Sequence, residues 1–201
     1  MWARRAGTAL RRDLAEDVTD RSELRAFRDT VGLFATGVAI VTTEIHGEVH
    51  AMTANAVVSL SLDPLMMLFC PAKKSRLAQL LEQMRQFTLN VLRADQQALS
   101  SYFAGGWKQG AAPPFRFVPS PAGPRLEGGL ASIGCELERV ADGGDHWIVT
   151  GRVISMHRGI QPHRPLVFFG GQYRSVDFST GTPAPDLGEV VDEPPHIYYD
   201  R

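Results

Sequence analysis

Val49-His50-Ala51-Met52-Thr53-Ala54-Asn55-Ala56-Val57-Val58-Ser59-Leu60-Ser61-Leu62-Asp63-Pro64 reads as two β-prone runs with small and polar residues between them. Side chains this short let a ligand come close to the main chain. Phe69-Cys70-Pro71-Ala72-Lys73-Lys74-Ser75-Arg76 follows and sets a basic Lys-x-Ser element where a helix is expected to open, a favourable place for an anion.

Upstream, Asp20 or Ser22 is placed to cap a helix carrying Leu24, Phe27, Val31 and Phe34 on one face, with Thr36-Gly37 as its stop. From Val38 the period becomes two, which predicts a strand covered on both faces, and His46-Gly47 supplies the turn back into Val49–Ala54. Ala56–Leu62 is a further strand ended by Asp63-Pro64, and the short apolar run 65–70 is expected to be buried.

Downstream, Ser75 is expected to cap a helix through Leu77, Leu80, Leu81 and Met84. Phe87–Leu92 reads as a strand and Asp95–Phe103 as a second short helix. Residues 104–124, rich in Gly and Pro, predict a long surface loop or lid. Gly134–Val140 and His146–His157 are β runs joined by the Gly/Asp turn at residues 141–145, and Pro165–Gly170 is the last convincing strand. Many strands, short helices and no βαβ alternation predict a mainly β protein, an antiparallel barrel with peripheral helices. One domain over residues 20–176 is expected, with a flexible leader at 1–19 and an extended tail at 177–201.

Composition narrows the function. A chain of 201 residues with formal charge −1 carries no basic excess, which argues against a nucleic-acid or membrane-surface binder. Cys70 and Cys135 stand far apart, outside any disulfide or zinc pattern, and neither a secretion signal nor a membrane-spanning run is seen; a cytoplasmic setting is expected. The six histidines are scattered, and no metal site is expected.

The order of Ala35-Thr36-Gly37-Val38, Met52-Thr53-Ala54-Asn55, Ser59-Leu60-Ser61-Leu62-Asp63-Pro64, Cys70-Pro71-x-Lys73-x-Ser75, Asn90-Val91-Leu92, Gly144-Asp145-His146 and Gly171-x-Tyr173 resembles the flavin-reductase-like FMN-binding split-barrel family. The likeness spans residues 24–173. It implies a homodimeric split β-barrel that uses NADH or NADPH to reduce FMN or FAD, often for a partner monooxygenase. Four positions depart from the family pattern: Ala35 stands where proline is common, Ala51 where glycine is, Ala56 where serine is, and Gly170 where a basic or polar residue is.

The resemblance assigns a cofactor set that chemistry can be asked to justify. An isoalloxazine needs an apolar slot and donors along its pyrimidine edge, and Met52, Thr53, Ala54 and Asn55 are expected to supply them; by residue type alone Asn55 serves equally well as a strand-end turn. Lys73, Ser75 and Arg76 suit a flavin phosphate, or else form an N-cap and a solvated basic corner. Cys70, Pro71 and Ala72 are expected to contribute backbone only. By residue type alone His146, at the start of a strand, reads as a structural histidine; the resemblance places it beside the nicotinamide, with Asp145 fixing its tautomer or capping the turn. Ser59 and Ser61 are expected on one strand face within reach of flavin, with Leu60 beside them. Asn90 and Val91 read as a strand end or as flavin neighbours, Phe103 as a stacking ring or a core residue, and Tyr173 as an anchor before the tail. No side chain is assigned as general acid or base, because the hydride passes directly between the two cofactors. The competing reading is a flavin-binding protein without nicotinamide turnover, or a split-barrel oxidase with its own substrate.

Overall fold

The computed structural model describes residues 20–159 and 164–176. The leader at 1–19 and the tail at 177–201 lie outside the described residues.

Helix α1, Arg21–Val31, starts at Asp20, whose carboxylate accepts the Ser22 N–H at 3.3 Å. It stops earlier than Thr36-Gly37: the Gly32 N–H closes on the Arg28 carbonyl at 2.9 Å, and Thr36–Gly37 instead forms strand β1. None of its residues is buried, although Leu24, Phe27 and Val31 make a stripe.

Strands β2 (Ala39–Ile45) and β3 (Glu48–Ala54) form a hairpin through His46-Gly47, both with positive φ. Then come β4 (Val57–Leu62), β5 (Leu65–Phe69) and β6 (Gln86–Val91). Helix α2 spans Gln97–Phe103, β7 and β8 are the short strands Phe117–Val118 and Arg125–Leu126, and β9 (Ala131–Gly143) and β10 (His146–Arg158) are the two long strands. Strands β11 (Leu166–Phe169) and β12 (Gln172–Ser175) pair with β1 in a small sheet.

The main sheet runs β3-β2-β6-β9-β10-β5-β4, antiparallel throughout. Its edges β3 and β4 are joined by only two residues, Asn55 and Ala56, so the sheet must curl until the edges meet there. The edges are not paired with each other, and the result is a split barrel with peripheral helices.

Alternation divides the walls into two cores. Val41, Phe69, Phe87, Leu89, Cys135 and Val149 face inward, with the Phe69 and Phe87 rings 5.0 Å apart. Gly151 faces Phe87 so closely that an added Cβ would sit 2.6 Å from the ring. Val38, Ile40, Leu92, Leu99, Leu126 and Leu166 make the second core, outside the wall.

Four expectations are corrected. Residues 75–84 form turns and one 3-10 turn at Ala78–Leu80, not a helix; Leu77, Ala78, Leu81 and Met84 keep helix-like spacing because that face closes the barrel core. In β5 only Phe69 is buried: Leu65, at the opposite end of the strand beside the Asp63-Pro64 turn, is exposed, and the three residues between are half-buried. The 104–124 segment is only in part a loose loop: Ala122 and Pro124 are buried, and Pro124 accepts the Thr42 hydroxyl. A strand follows Pro165–Gly170 after all, because Gly170 and Gly171, both at positive φ, turn the chain back into β12.

Candidate flavin and nicotinamide site

Three segments far apart in sequence meet at the split. The loop after β5 lies along the start of β10 as an added rung: Trp147 N–H donates to the Pro71 carbonyl at 2.9 Å, Lys73 N–H donates to the Asp145 carbonyl at 2.9 Å, and Ala72 bridges His146. The Cys70 N–H donates to the Ala56 carbonyl at 3.0 Å, which ties the same loop to the β3–β4 junction. Ser75 Oγ lies 4.0 Å from Met52 Sδ, so β3 is in reach as well. Since β3 is an edge strand, alternate main-chain groups along it have no strand partner on that side. These contacts bring the β3 edge, Met52, Trp147 and the basic residues 73–76 together at one end of the sheet.

Lys73 is not a free cation. Its ammonium is ion-paired with the Asp142 carboxylate and stands 4.6 Å from the centroid of the Trp147 ring. Asp142 lies directly across the hairpin from Trp147 and also accepts the Gly144 N–H at 3.1 Å. The Lys73 bond, then the Gly144 bond, hold its carboxyl below the ordinary range. The Asp145 carboxylate lies 2.7 Å from His146 Nδ1, and that hydrogen bond is the main reason its own pKa is lowered. An ionised carboxylate only accepts, so Nδ1 carries the proton in this contact.

The helix-opening argument for a phosphate fails at Ser75. No helix follows it, and its hydroxyl is used within the turn, accepting the Ala78 N–H at 3.2 Å. Lys73, the Ser75 hydroxyl and exposed Arg76 remain the groups suited to a phosphate.

The other candidates divide. Ala54 and Met52 face the inner core, while Thr53 points outward and donates to the Ser100 carbonyl at 2.6 Å. Asn55 is exposed at the junction, its amide 3.3 Å from Thr36 Oγ1. Ser59 and Ser61 do not share a face: they pair with the successive residues Met67 and Met66, because Leu60 is the extra residue of a bulge. Asn90 lies in the outer core, fully buried; it donates to the Ile40 carbonyl at 2.9 Å and accepts from Leu126 N–H at 2.8 Å and the Ser132 hydroxyl at 3.1 Å. Its side chain therefore belongs to the wall, and Val91 beside it pairs with Ala131 in the ladder. Phe103 packs with Phe115 and Phe117, and Tyr173 hydroxyl meets Ser100 Oγ at 2.9 Å.

Sequence reading missed Asp142 and Trp147. Asp142 in an Asp-x-Gly turn and Trp147 one position past His146 carried the signal, but only the hairpin register sets them opposite each other. A groove of about 520 Å³, lined by Glu44, Val49, Arg85 and residues 117–124, opens at the far end of the β2–β3 hairpin and has no part in this site. Both cysteines are free; burial pushes the Cys135 thiol up to about 12.

Residues 31–177 match the flavin reductase like domain, and the chain belongs to that family. Among its relatives is a flavin-dependent monooxygenase reductase subunit, HsaB, of Rhodococcus jostii RHA1, 41% identical over 80% of this chain and 82% of that protein. An NADH-dependent flavin reductase of a Rhodococcus species is 35% identical over 75% of this chain and 85% of its own length. Among solved structures, the NADH:FAD oxidoreductase SgcE6 of Streptomyces globisporus, in complex with NAD and FAD fragments, aligns with a TM-score of 0.71 at 30% identity, covering 80% of this chain and 97% of that one.

Proposed function

We propose that the protein is an NAD(P)H-dependent flavin oxidoreductase that reduces FMN or FAD and supplies reduced flavin to a partner monooxygenase. The observation that carries the reading is the rung between residues 71–73 and 145–147, which with the Cys70–Ala56 bond brings the Lys73/Ser75 corner, His146 and the β3–β4 junction to one place. A flavin held there would supply the hydride-accepting ring, and a reduced nicotinamide the hydride. The chain's own work is positioning. The unpaired main-chain N–H groups among Thr53–Asn55 would meet the pyrimidine edge, Lys73 and Ser75 would hold the phosphate, and His146, fixed by Asp145, would offer Nε2 to the nicotinamide carboxamide or ribose.

Mixing purified protein with FMN and NADH tests this. Steady loss of nicotinamide absorbance is the expected result; a yellow protein that leaves NADH untouched refutes it.

The active form is a homodimer in this reading. Val58, Leu60 and Leu62 on β4, Ile154 and Met156 on β10, and the α1 stripe leave apolar surface exposed that a second copy covers. Light scattering after gel filtration reads the mass directly. A cytoplasmic setting fits two cysteines that remain thiols, and no helix of the described residues is long and apolar enough to cross a membrane.

A further inference from the structure

We propose that Asp142 competes with the flavin phosphate for Lys73 and thereby sets how loosely the protein holds flavin. The inference rests on the assignment of Lys73 as the phosphate ligand made above. The main-chain frame that carries the Lys73–Asp142 pair is held on both sides. The Lys73 main chain is tied to Asp145, and the Asp142 carboxylate is tied to the Gly144 N–H. The rung and the hairpin register therefore set Asp142 within reach of the Lys73 ammonium. It is also partly exposed, with side-chain accessibilities of 34% and 68%, so water and salt weaken it and an incoming anion can replace the carboxylate.

Replacement has a consequence. A phosphate seated on Lys73 stands beside an ionised carboxylate that has lost its partner, and the two like charges repel. Only ligands with an anion near Lys73 meet this opposition. Riboflavin, which has the same ring system and no phosphate, does not. A carboxylate so placed lowers the affinity for FMN without touching recognition of the ring, which suits a protein that must release its flavin to another. The opposite role, Asp142 steering Lys73 into place for the phosphate, predicts the opposite sign.

The test is equilibrium titration of FMN and of riboflavin against the wild-type protein, Asp142→Asn, Lys73→Ala and the double variant. Asparagine keeps an oxygen for the Gly144 N–H while removing the charge. Asp142→Asn is expected to bind FMN roughly 1.5- to fivefold tighter, riboflavin unchanged, with a gain that shrinks at high salt and is smaller in the Lys73→Ala background. The proposal is overturned if FMN binds equally or more weakly, if riboflavin gains as much, or if the gain is undiminished without Lys73. Lys73→Ala alone separates the two levels of inference. Selective loss of FMN with no gain in Asp142→Asn keeps the phosphate assignment and removes the competitor; equal loss of FMN and riboflavin removes both.

Discussion

Asn90→Leu tests whether this asparagine serves the wall or the ligand. The two side chains are close in size, so the change is chiefly the removal of polar atoms. Two buried donors lose their acceptor: the Leu126 N–H at 2.8 Å and the Ser132 hydroxyl at 3.1 Å. A buried donor left unpaired costs about 1–3 kcal/mol, and the hydroxyl, which can rotate, falls at the low end. The net expected loss is about 2–4 kcal/mol, a large part of the roughly 5–15 kcal/mol that holds a domain together. For a chain of this size that corresponds to a drop in Tm of about 5–15 °C. Urea denaturation reads it, at one fixed protomer concentration because association would otherwise shift the midpoint. The folded variant should bind FMN as the wild type does. Stability within about 0.5 kcal/mol of wild type, combined with a clear loss of FMN affinity, would refute the reasoning and return Asn90 to the flavin site.

Other expected outcomes follow from single contacts. His146→Ala should raise the KM for the nicotinamide nucleotide by about two- to tenfold, the worth of one hydrogen bond, while the flavin dissociation constant stays put; an unchanged KM in steady-state kinetics would count against Nε2 as a ligand group. Gly151→Ala places a methyl 2.6 Å from the buried Phe87 ring and 2.9 Å from Cys135 Cβ, so thermal denaturation should show a loss of about 1–3 kcal/mol. Cys135 should resist a thiol reagent at pH 8 until the protein unfolds. Its raised pKa fixes the sign of a pH effect: the contribution is full below the ordinary 9.0 and is lost as pH rises towards about 12, because only the unfolded chain ionises there. Urea midpoints measured between pH 8 and 10 should therefore fall, and a Cys135→Ser variant should show a flatter profile.

Much of the fold was legible because local rules act alone in it. Period-two apolar patterning gave β2, β3, β4 and β6 to within a residue or two, and His46-Gly47 and Asp63-Pro64 marked the turns. The pattern misled where burial imitates a helix. Leu77, Leu81 and Met84 recur at helical spacing because one face of an irregular segment closes the barrel, and spacing does not record hydrogen bonding. The second strand after Pro165 went unread since four residues with one inward ring, Tyr173, carry almost no periodic signal.

The motifs on which the proposed site rests, a small-residue junction at Met52–Asn55, a basic corner at Lys73–Arg76 and a histidine after Gly144-Asp145, were all visible in the chain. Which side chains are free to act was decided by partners distant in sequence. A bulge at Leu60 parted Ser59 from Ser61, the outer core enclosed Asn90, and the register of β9 with β10 set Asp142 opposite Trp147 and so against Lys73. Residue type fixes what a group is able to do; only the closed sheet, which brings residues 52, 73, 142 and 146 to one place, settles what it is already bound to.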